Sequence, residues 1–186
     1  MLKRNSVTYK NGWNYFQLEK FMSKEQLGGF NCAVVEYNNY LNQDALRSWD
    51  DHIAFTLLLR EKETKSISAY MSLIADAIKI SVSEKELHSL KYPFKTIPAM
   101  KIAKLAVDNE AQEKYKGIGS FMIHIAKSFA ISCNKRYMAC RFLSVDADIE
   151  HNSSVLNFYE KNSFLVNEEL YNKNRKTISM RRDIYC

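Results

Sequence analysis

The apolar positions of this chain fall into two patterns, continuous runs and helical repeats. Continuous apolar runs cover residues 53–59 and 67–80, and a charged stretch at residues 60–65 joins them. This arrangement predicts two antiparallel strands connected by a turn. Residues 13–18 and 101–107 predict two more strands.

Helical spacing marks the segments between these runs. Apolar residues recur at steps of three and four over residues 36–49, and a shorter helix is predicted over residues 24–27. Ser83, followed by two glutamates, predicts another helix start. The clearest row of apolar residues at steps of three and four predicts a helix that runs to about Ser132. This row consists of Ile118, Phe121, Met122, Ile125 and Phe129.

The order of elements after Pro98 is strand, helix, strand, helix, with the later pair predicted at residues 140–145 and 152–161. Such an alternation favours a right-handed crossover between parallel strands. The fold class predicted from the residues is therefore α+β with a mixed sheet. With 186 residues, 46% of them hydrophobic, a single domain over residues 1–186 is expected.

Composition narrows the classes of protein that fit. No apolar run approaches the roughly 20 residues that span a bilayer, and the N-terminus lacks the apolar segment of a signal peptide. We therefore expect a cytoplasmic protein that does not enter a membrane. The four cysteines and four histidines show no metal-ligand spacing, so no metal site is predicted, and Cys133 and Cys140 are expected to be small core residues.

The net charge of +6 favours a polyanionic partner. Nucleic acid and coenzyme phosphates both fit this charge, and so does a merely solvated basic face. Basic residues are concentrated at one place, which contains Lys173, Arg175, Lys176, Arg181 and Arg182.

Two glycines, Gly117 and Gly119, open the predicted long helix directly after a strand. The backbone N–H groups and the dipole of a helix start attract an anion, and Lys114 and Lys116 flank the turn. The third glycine of a dinucleotide fingerprint is missing, and no Lys-Ser/Thr of a Walker motif follows. A pyrophosphate site is the favoured interpretation, and a purely structural turn is the alternative.

The chain carries a second candidate site at Asn152 and Tyr159, which are seven residues apart and are predicted to share one helical face. A tyrosine on a helix is commonly a packing residue. A phenol with an ordinary pKa near 10 can also give a proton to a departing thiolate, whose ordinary pKa is about 8.5.

Together these motifs resemble the GCN5-related N-acetyltransferase (GNAT) superfamily. Lys114-Tyr-Lys-Gly-Ile-Gly119 is similar to its Gln/Arg-x-x-Gly-x-Gly/Ala signature, and residues 152–164 are similar to Asn-x-x-Ala-x-x-Phe-Tyr-Glu-x-x-Gly-Phe. The resemblance implies a mostly antiparallel sheet with a splayed parallel pair, flanked by helices. It also implies acetyl-CoA as co-substrate, main-chain contacts from the strand before the turn, and Tyr159 as the acid that protonates the coenzyme thiolate.

The resemblance assigns acetyl-CoA binding to Leu105, Ala106, Val107, Lys114, Tyr115, Lys116, Gly117, Ile118, Gly119, Ser120, Asn152 and Tyr159. Three positions depart from the family pattern. Lys114 replaces Gln or Arg, Val155 replaces alanine, and Ser163 replaces the glycine that ends the helix. Because Asn also tolerates a left-handed conformation, Asn162 is predicted to take over the role of that glycine.

The opening Phe30-Asn-Cys32, followed by Tyr40-Leu41 and Ala45, resembles acetyltransferases related to bacterial toxins that acetylate aminoacyl-tRNA. No general base is evident, and Glu36, Asp108 and Glu150 are the candidates. An α-amine needs less help than a lysine, since its ordinary pKa is about 7.7–8.0. The hypotheses are therefore an amine N-acetyltransferase, a toxin-like enzyme acting on aminoacyl-tRNA, and a non-catalytic module that binds acyl-CoA or nucleic acid. Dimers are common among similar proteins, so a homodimer is also expected.

Overall fold

The computed structural model of this chain describes residues 4–87, 89–91, 93, 95–167 and 176–186. The strands in this part are β1 (Asn5–Ser6), β2 (Phe16–Lys20), β3 (Phe55–Glu61), β4 (Ile67–Lys79), β5 (Thr96–Val107), β6 (Tyr115–Lys116), β7 (Phe142–Asp148), β8 (Leu165–Val166) and β9 (Thr177–Asp183). The helices are α1 (Gly12–Tyr15), α2 (Val35–Asn39), α3 (Ala45–Asp50), α4 (Val82–Leu87), α5 (Asn109–Lys114), α6 (Ile118–Arg136) and α7 (Val155–Lys161).

Seven strands form one mixed sheet in the order β2-β3-β4-β5-β7-β9-β8, and β1 pairs with β6 apart from it. The pairs β2–β3, β3–β4, β7–β9 and β8–β9 are antiparallel, and β5 lies parallel to β7. This confirms the predicted α+β class and the mostly antiparallel sheet that contains a parallel pair. Hydrogen-bonded pairing of β5 with β7 covers Ala99–Ile102 and Phe142–Val145, and β5 continues beyond it to Val107.

The chain divides into two compact units, which are described separately. Unit 1 comprises residues 1–74 and 103–126, and unit 2 comprises residues 75–102 and 127–186. The core of unit 1 includes Phe21, Leu41, Leu58, Tyr70 and Ala106. The core of unit 2 includes the buried residues Ile78, Ile80, Ile97, Ala99 and Phe142. Each unit therefore has its own buried apolar cluster.

The N-terminal strand prediction was partly wrong. Residues 13–15 belong to helix α1, and the strand begins only at Phe16. Tertiary contact explains the difference, because the ring of Trp13 packs edge-on against Phe121 at 5.0 Å between centroids and Gly12 is buried beneath the same ring. Helix α1 thus forms against α6, which local alternation of apolar residues cannot reveal.

Helix boundaries also differ from the predictions. The helix predicted over residues 36–49 is interrupted by a π-helical turn, Tyr40–Asp44, and the one predicted at residues 24–27 is a 3-10 turn, Lys24–Gln26. Helix α6 continues to Arg136 rather than Ser132, because Lys135 and Arg136 in its last turn suit the negative end of the helix dipole. None of the described helices has the length and apolar character needed to cross a membrane.

Candidate functional site

Asp108 directly follows β5 in unit 1 and is the N-cap of α5, the short helix that precedes β6 and the glycine turn at Gly117. Its carboxylate caps helix α5 by accepting hydrogen bonds from Glu110 N at 3.0 Å and Ala111 N at 3.2 Å, and it also accepts one from Asn31 N at 2.9 Å. Helix α5 was not predicted, although Asp at the N-cap followed by Glu110 in the first turn is its sequence signal. Because the Asp108 carboxylate already accepts three backbone hydrogen bonds, it is a poor candidate for the general base.

The Lys114 side chain does not face a free anion position, because its ammonium forms an ion pair with Glu61 of β3. The Tyr115 hydroxyl donates a hydrogen bond to the same carboxylate, and Thr64 donates a third at 2.8 Å. Burial alone would raise the pKa of Glu61, but the hydrogen bonds from Lys114, Tyr115 and Thr64 outweigh it, so the pKa lies below its usual range. Sequence reasoning missed Glu61, which lies 53 residues from Lys114 and belongs to no motif.

The Tyr115 side chain belongs to the interior of unit 1. It is 5% exposed, and its ring packs against Phe16 at 4.9 Å between centroids. Burial first, and then the hydrogen bond to Glu61, raises the pKa of Tyr115 to about 12. The Tyr115 side chain is therefore not available to a ligand, and its N–H already donates to Ala111 O.

Gly117 adopts a φ of 101° between β6 and α6. This left-handed region favours glycine, and a Cβ here would overlap the carbonyl oxygen of Val7. The first N–H groups of the 19-residue helix that follows have no intrahelical acceptor. Gly119 is partly accessible and Ser120 is exposed, so the backbone at this helix start can receive an anion from solvent.

A cavity of about 320 Å³ lies beside α5 in unit 1. Three of its lining residues, Glu61, Asp108 and Glu110, carry carboxylates, whereas Lys114 is the one described lining residue with a basic side chain. A phosphate would be repelled by three carboxylates. This cavity is therefore a different place from the helix start where an anion fits.

The strand residues predicted to give main-chain contacts, Leu105, Ala106 and Val107, form the last part of β5. Ala106 is buried in the core of unit 1, whereas Leu105 and Val107 are partly accessible. They directly precede Asp108, the N-cap of α5.

Tyr159 of unit 2 lies in helix α7 and is 6% exposed. Its ring contacts Phe158 and Phe164 edge-on, at 5.0 and 5.3 Å between centroids. Asn152 does not share a helical face with it, which corrects the prediction. Helix α7 begins three residues later, at Val155, because the Asn152 side chain accepts hydrogen bonds from the backbone and hydroxyl of Ser154 at 2.9 and 2.7 Å.

The end of α7 also differs from the prediction. Ser163 itself is left-handed, with a φ of 63°, whereas Asn162 has a φ of −97°. Ser163 N donates to Glu160 O at 2.9 Å and Phe164 N donates to Tyr159 O at 3.0 Å, which is the Schellman arrangement. The Asn162 side chain is used differently, donating to Phe158 O at 2.8 Å.

Two other charged residues that the sequence analysis singled out, Glu150 and Arg181, form ion pairs within unit 2. Glu150 forms an ion pair with Lys176 at 2.7 Å, which weakens it as a general base. Arg181 is 6% exposed and forms an ion pair with Glu84, so it is not part of a solvated face. Lys173 and Arg175 lie outside the described residues.

The four cysteines are free thiols. Cys140 is a buried core residue, as predicted, and burial raises its pKa to about 11. Cys133 is only partly buried. Among the residues that the structure describes, no three His, Cys, Asp or Glu side chains form a group that could hold a metal ion.

The mostly antiparallel sheet with a parallel pair, flanked by helices, matches a GNAT-like fold. No family model matches the chain, and no curated protein matches its sequence. Solved structures do match. A tyrosine-to-phenylalanine mutant of KacT is 18% identical and covers 89% of this chain and 94% of its own, with a TM-score of 0.70.

Two further solved structures match as well. AtaT complexed with acetyl-methionyl-tRNAfMet is 19% identical, with 88% of this chain and 93% of that chain covered and a TM-score of 0.68. AtaTR bound with AcCoA is also 19% identical, with 89% and 93% covered and a TM-score of 0.68. At these identities the likeness shows a shared fold.

Proposed function

We propose that this chain is an acetyl-CoA-dependent N-acetyltransferase that transfers an acetyl group to a primary amine by direct attack. The observation that carries the proposal is the turn before α6, where Gly117 has a φ of 101° and the helix start is accessible. Backbone N–H groups at such a start bind phosphates. The shared fold with a structure bound to AcCoA supports the same conclusion.

The chain offers backbone rather than side chains to the coenzyme. The pyrophosphate would be held by N–H groups of residues 117–120, with the exposed Lys116 adding positive charge; the N–H of Tyr115 is already bonded to Ala111 O. Lys114 contributes only its backbone, because Glu61 neutralises its ammonium. Leu105, Ala106 and Val107 would give main-chain contacts to the pantetheine arm, and an N–H of this strand would stabilise the developing oxyanion.

Acetyl-CoA supplies a thioester whose carbonyl carbon accepts the amine. Tyr159 is the proposed acid, and its hydroxyl would give a proton to the sulfur as the thioester bond breaks. Asn152 would contact the coenzyme from the loop before α7. Asp108 and Glu150 already have partners, so neither is proposed as the base, and an acceptor amine of low pKa would need the least help to lose its proton.

The first test is isothermal titration of the protein with acetyl-CoA, followed by mass spectrometry of products formed in a cell extract that contains tRNA and small amines. With the acceptor so identified, Tyr159→Phe is expected to lower turnover about 100-fold. The Kd for acetyl-CoA should change less than about twofold, since a hydroxyl that acts only in the transition state contributes little to ground-state binding.

Tyr137→Phe is the matched control, because Tyr137 is 79% exposed and belongs to no proposed site. Its turnover should equal that of the wild type. Unchanged turnover in Tyr159→Phe would remove the acid role from Tyr159 while leaving acetyl transfer itself intact.

A narrower form of the proposal takes aminoacyl-tRNA as the acceptor. The net charge of +6 suits a nucleic acid, and a neighbour in fold, AtaT, was solved with acetyl-methionyl-tRNAfMet. Purified protein should then acetylate the α-amine of aminoacyl-tRNA, and its expression should arrest growth. If aminoacyl-tRNA stays unacetylated, a small-molecule or protein amine remains as the acceptor.

A second class of function is a non-catalytic module that binds acyl-CoA or nucleic acid through the same helix start. Titration that detects no acetyl-CoA binding would favour the nucleic-acid module, and binding without any acetylated product would favour the acyl-CoA module. A homodimer and a cytoplasmic location remain predictions, which sedimentation of the purified protein and fractionation of cells would check.

A further inference from the structure

The N-terminal segment, residues 5–13, runs beside the glycine turn in unit 1. Strand β1 pairs in parallel with β6, with Asn5 opposite Tyr115 and Ser6 opposite Lys116. The pairing ends on a hydrogen bond from Val7 N to Lys116 O, at 2.8 Å. The segment therefore contacts the same backbone that the proposed function assigns to pyrophosphate binding.

The bond from Val7 fixes the orientation of one peptide group. Lys116 C=O and Gly117 N–H belong to the same peptide unit, and no cis peptide bond occurs in the described chain. In a planar trans peptide the C=O and N–H point in opposite directions. Because the carbonyl of Lys116 faces Val7, the N–H of Gly117 faces away from the segment.

A flip of this peptide would reverse the charge presented by the turn. It would replace the outward N–H with a carbonyl oxygen, which repels an anion. The carbonyl oxygen of Val7 also lies where a Cβ of residue 117 would be, so the segment and the φ of 101° at Gly117 fit one another.

Asn11 holds the segment in place through its side chain. Its carbonyl oxygen accepts hydrogen bonds from Thr8 N at 2.7 Å and Thr8 Oγ1 at 3.0 Å, and its amide group donates to Ser6 O at 2.9 Å. These three bonds form a tight loop around Val7, which is only 5% exposed. Loss of the amide would remove its hydrogen bonds to both residues that flank Val7.

Aromatic contacts fix the segment further along α6. The Tyr9 ring lies 5.0 Å from the ring of His124, and Trp13 packs on Phe121. The segment is therefore anchored on both sides of Val7, by α6 and by β6. We propose that Val7 and Asn11 are positioning residues for the glycine turn, which keep the Gly117 N–H directed toward a bound pyrophosphate.

This inference rests on the proposed function, and its test separates the two. Three full-length variants are compared with the wild type by isothermal titration with acetyl-CoA and, separately, with inorganic pyrophosphate. Val7→Pro removes the N–H that binds Lys116 O. Asn11→Ala removes the three side-chain bonds, and Asn14→Ala is the matched control, an exposed asparagine three residues further along that lies in α1.

We expect the Kd for both ligands to rise about tenfold in Val7→Pro and Asn11→Ala and to stay unchanged in Asn14→Ala. Asn11→Asp keeps the acceptor for Thr8 and loses only the donor to Ser6, so it should restore part of the affinity. Titrations are run well below the melting temperature of each variant, so that a loss of stability alone does not change the Kd.

Equal affinity in Asn11→Ala and wild type would overturn the positioning role, even if Val7→Pro does not fold. Wild-type protein that binds pyrophosphate but not acetyl-CoA would refute the proposed function, and the variants with pyrophosphate would still decide the positioning role. Wild-type protein that binds neither ligand would overturn both.

Discussion

Gly117 before α6 and Ser163 after α7 are two of the described residues with positive φ, and their turns differ. At Gly117 the position of a Cβ is already taken by the carbonyl oxygen of Val7, so only glycine fits. At Ser163 a side chain is present in the left-handed region, which costs an L-residue about 1–2 kcal/mol. The first turn is thus built around a second segment of chain, whereas the second one is a local helix ending that tolerates strain.

The departures from the family pattern follow the same division. Lys114 departs at a side chain, and a distant carboxylate, Glu61, gives it a partner. At Ser163 the departure concerns the left-handed backbone conformation that the position requires. No contact with another residue can remove that requirement. A side-chain change can therefore be compensated over a long distance, but a conformational requirement stays with the residue that carries it.

The largest expected effect comes from Gly117→Ala, which imposes a Cβ on the turn that cannot hold one. We expect the free energy of unfolding to fall by about 3 kcal/mol, because the alanine is strained at this φ and displaces Val7. Urea unfolding followed by circular dichroism measures the change, and binding of acetyl-CoA should fall with it.

Gly28→Ala is the control for this substitution, since a Cβ at Gly28 meets nothing within 4 Å. Its stability should stay within about 0.5 kcal/mol of the wild type. If the two alanine variants were equally stable, the turn would not depend on the close approach of Val7.

The second prediction removes the partner of Lys114. In Glu61→Gln the ion pair is lost, and the buried hydrogen-bond acceptor of Tyr115 and Thr64 becomes neutral. We expect a loss of about 2 kcal/mol in the free energy of unfolding. Glu113→Gln, an exposed glutamate of α5, is the matched control and should change stability by less than about 0.5 kcal/mol.

The same pair of variants gives a pH dependence with a defined sign. Hydrogen bonds hold the pKa of Glu61 below its unfolded value, so its contribution is complete above that value, about 4.3, and is lost as pH falls through the folded pKa. The stability difference between wild type and Glu61→Gln should therefore be constant from pH 6 to 7 and should shrink at lower pH. A difference that did not change with pH would mean that folding leaves the pKa of Glu61 at its unfolded value.

Much of the fold could be predicted because strand and helix periodicity is local. The runs that became β3, β4 and β5 and the stripe of α6 were visible in the sequence. The ion pair between Glu61 and Lys114 could not be predicted, because only the tertiary structure brings these two residues together.

The turn before α6 shows the same limit. Gly117 and Gly119 predicted the turn itself from local sequence. The role of Val7 depends on parallel pairing between β1 and β6, two strands of two residues each, which carry no periodicity. The loop at Asn152 was misassigned to a helix because an asparagine suits both a helix start and a preceding turn.

The smallest expected effect, and the only gain, comes from Ser163→Gly. Glycine removes the strain of the left-handed conformation but makes the unfolded chain more flexible, so the net stabilisation should be about 0.5–1 kcal/mol. Ser163→Asn should fall between serine and glycine, because asparagine tolerates this region better than most residues. Ser83→Gly, at a helical position in α4, is the matched control and should destabilise by about 0.5 kcal/mol. Opposite signs for the two glycine substitutions would separate local backbone strain from any general effect of glycine, and equal signs would contradict the left-handed turn at Ser163.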